Sequence, residues 1–92
     1  MNTFEWDENK RKINLDKHEI DFLDALEIFY DPDRIEYATI RSKEKRYQTI
    51  GIVHEIVLFL VYTIREEKKR IISVRRASKD ERQIYYEEKT KR

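Results

Sequence analysis

The chain has 92 residues, enough for one small domain, and 42% of them are charged while 39% are hydrophobic. The absence of cysteine excludes disulfide bonds and thiolate metal sites. The N-terminus is not typical of a signal peptide, and the longest apolar run, Ile56–Tyr62, is too short to span a membrane. We therefore expect a single domain over residues 1–92, located in the cytoplasm and not associated with a membrane.

Charge is unevenly distributed along the chain, although the net charge is only +1. Residues 1–37 contain five Lys and Arg against eleven Asp and Glu, whereas residues 38–92 contain fifteen against eight. The C-terminal part could therefore attract a polyanion. Salt bridges between the two parts would explain the same composition, and a pI of about 7.9 does not favour tight nonspecific nucleic-acid binding.

The first elements are predicted to be a short strand, Thr3–Trp6, and a helix that Asp7 can cap and that ends near His18. This helix lacks a consistent apolar face. The residues that share one face are polar, namely Lys10, Asn14, Lys17 and His18. Such a stripe is typical either of a marginal surface helix or of a helix turned towards a ligand, and periodicity does not decide between the two.

The second helix is predicted from an amphipathic pattern that begins after Asp21 and stops at Asp31-Pro32. Its apolar positions follow helical spacing: Phe22, Ala25, Leu26 and Phe29. We expect these side chains to form core by covering one side of a sheet.

Strands are predicted after Pro32, because β-branched and aromatic residues dominate. The predicted strands are Ile35–Arg41, Arg46–His54, Ile56–Thr63 and Ile71–Ala77. The short turns between them, Ser42–Lys45, His54-Glu55 and Glu66–Lys69, indicate an antiparallel meander. Gly51, the only glycine, predicts a bulge or the close approach of another backbone.

The last strand carries alternating side chains that should separate its two faces. Ile72 and Val74 are expected to face the core, so Ser73 and Arg75 should lie on the open face and Arg76 should form a salt bridge on the covered side. Ser78 and Glu81 then form a capping-box pattern that predicts a helix from Lys79 to about Lys89.

The expected fold is α+β, with the element order β-α-α-β-β-β-β-α and an antiparallel sheet of four to five strands. Two N-terminal helices and one C-terminal helix should lie mainly on one face, leaving the other partly open. The arginines on or beside the strands that build this face are Arg46, Arg65, Arg75, Arg76 and Arg82.

The side chains available for chemistry are mainly Arg, Lys, Tyr and His. There is no glycine-rich phosphate loop, no nucleophile elbow and no recognised metal-ligand spacing around His18, so no metal or cofactor is expected. This set suits RNA cleavage without metal, in which the ribose 2′-OH attacks and the protein supplies alignment, proton transfer and charge stabilisation. By residue type alone, the same set would also serve a simple RNA-binding module.

A family resemblance extends over nearly the whole chain. Its opening motif is Phe4-x-Trp6-Asp7-x-x-Lys10-x-x-x-Asn14-x-x-Lys17-His18-x-Ile20-x-Phe22. It continues through Ala25, Phe29, Asp31-Pro32, Arg46-Tyr47, Ile50-Gly51, Val61-Tyr62-Thr63 and Arg65, and ends with Ile71-Ile72-Ser73-x-Arg75-Arg76-Ala77 and Glu81-Arg82-x-x-Tyr85. In this order and spacing the sequence resembles the BrnT family of toxins.

The resemblance implies the toxin of a type II toxin–antitoxin system, with a RelE-like fold and an endoribonuclease activity that arrests translation and growth. It also implies a BrnA-type antitoxin, which binds the toxin and connects the complex to operator DNA. A non-catalytic RNA-binding or protein-interaction domain on the same fold is the alternative.

By matching position, the resemblance makes Arg65 and Arg75 the first candidates for phosphate binding and charge stabilisation, with Arg46 and Arg82 as supporting cations. Lys10 and Lys17 are expected to bind RNA. His18 is a candidate general base because imidazole exchanges protons near neutral pH. Tyr85 either assists catalysis or only packs the last helix, and Trp6 either stacks on RNA or, as we expect, anchors the core.

Overall fold

The structure, a computed structural model, describes residues 3–91 and consists of one sheet with helices against both faces. The strands are β1 (Phe4–Trp6), β2 (Ile35–Arg41), β3 (Glu44–Val53), β4 (Ile56–Arg65) and β5 (Lys68–Arg76). The helices are α1 (Glu8–His18), α2 (Phe22–Ala25), which continues as a 3-10 helix over Leu26–Tyr30, and α3 (Lys79–Thr90). The predicted element order is therefore confirmed.

The sheet is mixed, so the prediction of a purely antiparallel sheet is wrong. The strand order is β1-β5-β4-β3-β2, in which β2 to β5 form an antiparallel meander and β1 runs parallel to β5. The rule that short connections give antiparallel neighbours does not apply to β1, because its neighbour in the sheet is the last strand of the chain.

The hairpin turn at His54-Glu55 has the predicted length, and the other two hairpin turns are tighter than the sequence predicts. Each has two residues, Ser42-Lys43, His54-Glu55 and Glu66-Glu67, and both residues of each pair have positive φ angles. Positive φ at both positions characterises type I′ turns, whose twist matches that of the flanking strands and which favour Asn and Gly. None of these three turns contains glycine. Because the turns are short, the strands include residues beyond the β-branched segments from which they were predicted.

The first face of the sheet packs against α2 and the 3-10 helix. Phe22, Ala25 and Ile28 are completely buried there, whereas Leu26 and Phe29 are only partly buried. The change from an α-helix to a 3-10 helix explains the difference, because three residues per turn place every third residue on the same side. The sequence identified this helix as core but missed Ile28.

Gly51 lies where this face meets the 3-10 helix. A Cβ atom at this position would lie 2.6 Å from Cγ1 of Ile28 and 3.2 Å from Cβ of Arg34. The strand passes Gly51 without a bulge, so the predicted close approach occurs, but to side chains and not to another backbone.

The second face of the sheet is covered at one end by α3. Tyr85 packs there with Ile50, Val57 and Ala77, and the capping box of Ser78 and Glu81 begins the helix as predicted. The rest of this face is the open face. All helices were expected on one face, but α2 and the 3-10 helix pack on the first face and α3 covers part of the second.

A β-bulge interrupts the pairing of β5 with β4. Ile71 lies opposite Tyr62 and Ser73 lies opposite Val61, so Ile72 has no partner. Ile71 and Val74 are the buried pair, and the expectation that Ile72 faces the core is wrong because the extra residue shifts the alternation. Beyond the bulge, Arg75 and Arg76 lie on opposite faces of the sheet, as predicted.

Arg75 lies opposite Phe59 on the open face, and Arg76 lies opposite the buried Leu58 on the other. Arg76 itself is exposed, and the expected salt bridge is not formed with any residue within 3–91.

Two polar side chains take the place of missing strand neighbours. Asn14 accepts a hydrogen bond from the backbone N–H of Val74, where β5 extends past the end of β1, at 3.1 Å. Asp31 accepts one from the N–H of Ile52, where β3 extends past the start of β2, at 2.8 Å. Both are buried, so each satisfies a strand group that water does not reach.

Candidate functional site

A cleft of about 190 Å³ lies between α1 and β5. It is lined by Lys10, Ile13, Asn14, Lys17, His18, Ile72 and Ser73. The polar stripe that periodicity left open is therefore one wall of a cleft, and the bulge of β5 supplies the other wall.

Local interactions fix α1 in this position. Asp7 caps the helix by accepting hydrogen bonds from the N–H groups of Asn9 and Lys10. Arg11 forms a two-pronged ion pair with Asp21, at 2.8 and 2.9 Å, which joins the helix to the start of α2. Asn14 donates to the carbonyl of Ile20 and accepts from Val74, so it orients the helix and is not free to take part in chemistry.

The basic side chains of the cleft are available to a ligand. The side chains of Lys10, Lys17 and His18 form no hydrogen bond or ion pair with another residue of the described chain, 3–91. Lys17 and His18 also occupy the last turn of α1, where the helix dipole favours positive charge. Cationic side chains that lack carboxylate partners around a concave surface can hold a phosphate group.

Arg75 lies next to this cleft on the open face. It is two residues beyond Ser73 on the same face, a separation of about 7 Å along the strand. Its guanidinium donates to both carboxylate oxygens of Glu81, at 2.8 and 2.9 Å, and its centre lies 4.2 Å from the ring centroid of Phe59. The hydrogen bonds to Glu81 raise the pKa of Arg75, although burial opposes them.

Arg46 and Arg65 lie at the opposite end of the open face. Both donate to Glu44, at 3.2 and 3.3 Å, and these hydrogen bonds lower the pKa of that carboxyl. Arg65 is six residues from Phe59, which pairs with Arg75, so the two predicted catalytic arginines are separated by about 20 Å of strand. The structure does not bring them to one phosphate.

Tyr85 is completely buried, and its hydroxyl donates to Asp31 at 2.5 Å. Burial and this hydrogen bond raise the pKa of the tyrosine above its ordinary value. A buried phenol that is already bonded to a carboxylate cannot contact a substrate, so of the two interpretations of Tyr85 the geometry supports packing. Arg82 donates to the carbonyl of Ala77 beside the start of α3, which leaves it near Arg75 and outside the cleft.

Trp6 also packs as expected. Its ring meets Phe22 edge to face, with centroids 6.3 Å apart, and its indole N–H donates to Glu8. The residue is partly buried against the core of the first face, which supports the role of an anchor.

Several residues important to this region were not identified from the sequence as site residues. Ser73 lines the cleft, and Glu44 and Glu81 hold the arginines that residue type alone makes candidates. The capping-box pattern located Glu81 but gave no sign of its second partner. Only the register of β5 with β4 places Phe59 under Arg75, and a single sequence does not contain that register.

Within residues 3–91, no group of three or more His, Asp or Glu side chains is placed to hold a metal ion. No helix in the same range is long and apolar enough to cross a membrane.

Comparison with known proteins supports the resemblance seen in the sequence. No curated protein sequence matches the chain. The profile of a family described as "Ribonuclease toxin, BrnT, of type II toxin-antitoxin system" matches residues 6–81, which include α1, the whole sheet from β2 to β5 and the start of α3. This match covers most of the chain and both walls of the cleft, and the chain therefore belongs to the BrnT family of ribonuclease toxins of type II toxin–antitoxin systems.

Proposed function

We propose that this protein cleaves RNA in the cleft between α1 and β5, without a metal ion, by attack of the ribose 2′-OH on the adjacent phosphate. The observation that carries the proposal is the convergence of three basic side chains, Lys10, Lys17 and His18, on one cleft in a member of a ribonuclease toxin family; none of the three has a carboxylate partner within residues 3–91. The cleft is concave and bordered by Ser73, whose hydroxyl can hydrogen-bond to a phosphate or ribose oxygen.

In the proposed reaction, His18 removes the proton of the 2′-OH as the oxygen forms a bond to phosphorus. The bond from phosphorus to the 5′-oxygen of the next nucleotide breaks, and that oxygen takes up a proton. The products are a 2′,3′-cyclic phosphate and a 5′-hydroxyl. Lys10 and Lys17 stabilise the charge that develops on the phosphate oxygens, and either ammonium group can supply the proton for the leaving oxygen.

Arg75 is proposed to hold the RNA chain beside the cleft and not the phosphate that reacts. Its guanidinium is already bonded to both oxygens of Glu81, so a phosphate must share it or displace the carboxylate. Arg46 and Arg65 are proposed to contact other phosphates of the same RNA chain. Their distance from Arg75 corresponds to the length of several nucleotides and not of one.

In the cell we propose that the toxin acts on RNA in the cytoplasm and inhibits translation and growth. We further propose that it adopts a RelE-like fold and that a BrnA-type antitoxin neutralises it and connects the complex to operator DNA. These points rest on the family, whose toxins belong to systems with an antitoxin partner.

The test is cleavage of a single-stranded RNA by the purified protein in the presence of a metal chelator. We expect His18→Gln to lower the rate about 100-fold or more, the usual contribution of a general base. Lys17→Ala should lower it about tenfold, and Lys12→Ala is the matched control because Lys12 is an exposed lysine of α1 outside the cleft.

Two further results would contradict the mechanism. An RNA with deoxyribose at the cleaved position should remain intact, and cleavage of that substrate would exclude attack by the 2′-OH. Full activity of the His18 and Lys17 variants, with the same folded spectrum as the wild type, would place the reaction outside this cleft.

A non-catalytic RNA-binding protein remains the second candidate, and one observation favours it. A catalytic base is usually oriented by another side chain, yet His18 has no such partner in residues 3–91. If the wild-type protein binds the RNA and leaves it intact, the binding function is correct and the ribonuclease proposal fails.

A further inference from the structure

The two edges of the sheet differ in whether other parts of the protein cover them. At the β5 edge, β1 and α1 cover the strand, and Asn14 bonds the N–H of Val74 where β1 has ended. Asp31 does the same for Ile52 of β3 where β2 has not begun. At the other edge β2 pairs with β3 alone, and no helix or strand of residues 3–91 lies along the outer side of its seven residues.

Most side chains of the edge strand β2 are exposed to solvent. Ile40 is 77% exposed and Tyr37 46% exposed, and they lie on opposite faces of the strand. On the face of Ile40, the neighbouring positions across β3 and β4 are Lys45 and Ile64, and Ile64 is also exposed. Natural edge strands are normally blunted by charge, proline or a bulge, and β2 has charged residues only near its ends.

Positive charge surrounds the later half of β2. Arg41, Lys43 and Lys45 form no ion pair with any carboxylate in residues 3–91. Glu44, the nearest acid in sequence, is already bonded to Arg46 and Arg65. The acid within β2, Glu36, accepts a hydrogen bond from the buried Thr49.

We propose that the antitoxin binds this toxin by adding an extended, acidic strand to the free edge of β2. The backbone of β2 would supply the alternating donors and acceptors of a strand ladder, as in other complexes formed by strand addition. The added strand would place apolar side chains next to Ala38 and Ile40 and carboxylates next to Arg41 and Lys43. This inference rests on the proposed function for the existence of the antitoxin and goes beyond it in naming the surface.

Two other occupants fit this edge less well. A second copy of the chain, paired antiparallel through β2, would oppose residues of the same face, so Glu36 would meet Ile40 and never Arg41. The cations near Arg41 would then gain no carboxylate from β2 itself. An RNA strand would satisfy these cations, but it has no groups spaced to pair with the outer N–H and C=O groups of a β-strand.

The location of the edge has a functional consequence. β2 lies three strands from β5, or about 14 Å across the sheet, so the added strand does not fill the cleft that holds Lys10 and His18. A toxin whose edge is blocked should therefore remain an active ribonuclease and escape its antitoxin.

The experiment uses the full-length toxin and the protein encoded by the reading frame adjacent to its gene, co-expressed and then purified. Ile40→Glu adds a negative charge to the exposed edge at little expense to the core. We expect this variant to bind the adjacent protein at least about tenfold more weakly, and to arrest growth even when that protein is present. Ile84→Glu is the matched control, because Ile84 is an exposed isoleucine of α3, and it should behave as the wild type.

Amide hydrogen exchange provides the second measurement, which does not depend on any variant. In the complex, the amides of Ile35–Arg41 should gain protection that they lack in the free toxin. If a complex forms and β2 remains unprotected, or if Ile40→Glu binds normally, the inference is wrong while the proposed function stands.

Two other outcomes also overturn the inference. Protection of β2 in the toxin alone, rising with concentration and accompanied by a dimer in sedimentation, would assign the edge to a second copy. Protection of β2 by RNA would assign it to the substrate. If instead the complex forms through β2 but the free toxin leaves RNA intact, the inference holds and the ribonuclease proposal fails.

Discussion

The open face of the sheet carries two arginine groups, and they differ in how deeply they are built into the protein. At one end Arg46 and Arg65 share Glu44. At the other end Arg75 binds both oxygens of Glu81 and lies over the ring of Phe59. Because Glu81 also forms the capping box of α3, the second group joins the sheet to a helix, whereas the first joins only neighbouring strands.

The difference shows that an arginine on the open face can have a structural role as well as a role in binding a ligand. Arg75, the residue that sequence parity singled out, contributes to the docking of α3. By contrast, the cleft is lined by Lys10, Lys17 and His18 of α1, a helix that lacks an apolar stripe, and none of the three has a carboxylate partner within residues 3–91. Convergence on one cleft, together with the lack of such a partner, distinguishes them from the arginines of the open face.

The largest expected effect comes from Asp31→Asn, which tests whether the Arg75 group depends on α3. Asp31 accepts hydrogen bonds from Tyr85, Ile52 and Asp33, and an amide cannot accept them all. We expect a loss of about 2–4 kcal/mol in the free energy of unfolding, measured by urea denaturation. Amides of α3 should exchange much faster in this variant, whereas those of β3 and β4 near Glu44 should change little.

The same carboxyl gives a pH dependence. Burial raises the pKa of Asp31, but hydrogen bonds from Tyr85, Ile52 and Asp33 lower it by more, so the folded pKa lies below the ordinary value. Its contribution to stability is therefore complete above about pH 4 and is lost as the pH falls through the folded pKa. Between neutrality and acid, the stability of Asp31→Asn should fall less steeply than that of the wild type, and equal slopes would contradict this assignment.

A smaller effect is expected for Arg75→Ala, which removes the centre of the second group. The guanidinium is 39% exposed, so solvent screens its ion pair, and we expect a loss of about 1–2 kcal/mol, including the contact with Phe59. RNA affinity should also decrease. Glu81→Gln separates these roles, because it weakens the docking of α3 but frees Arg75 for phosphate. If Glu81→Gln binds RNA more weakly than the wild type, Arg75 is only structural.

The hairpin beside Arg65 allows a change in the opposite direction. Glu66 and Glu67 have φ angles of 50° and 68°, a strained region for residues with a Cβ atom. The double change Glu66→Asn and Glu67→Gly should raise the free energy of unfolding by about 1 kcal/mol, because Asn-Gly is the preferred type I′ pair. RNA cleavage should be unchanged, since this turn is remote from the cleft, and a large change in rate would show that this end of the sheet takes part in the reaction.

The smallest effect is expected for Arg65→Ala. Its partner Glu44 keeps the hydrogen bond from Arg46, and the arginine is more than half exposed. We expect no shift in the thermal midpoint beyond experimental error and a decrease in cleavage rate of no more than about threefold, through loss of one phosphate contact. A loss as large as that of His18→Gln would reverse the ranking of the two arginine groups.

How far the sequence predicts this structure depends on whether a feature is local. The cap at Asp7 and the capping box of Ser78 and Glu81 depend on neighbouring residues, and both were predicted correctly. The parallel pairing of β1, the bulge at Ile72 and the contact of Gly51 with Ile28 depend on residues far apart in sequence. The local sequence pattern of one segment does not indicate which distant segment it will contact.

The candidate site follows the same division. Helical spacing grouped Lys10, Lys17 and His18, because they share one face of one helix. Their neighbour Ser73 lies more than fifty positions away and was placed only by the register of β5. The separation of about 20 Å between Arg65 and Arg75 also follows only from that register. Without it, the sequence assigned these two arginines of adjacent strands to one function.

The cleft joins the early part of the chain to the late part, since Lys10–His18 meet Ile72 and Ser73. During synthesis on a ribosome, α1 emerges long before β5, and the wall that completes the cleft is present only when about four-fifths of the chain has been made. A prematurely terminated toxin that lacks β5 would have its cationic helix but no site. Under the proposed function, such an unfinished chain would not cleave RNA.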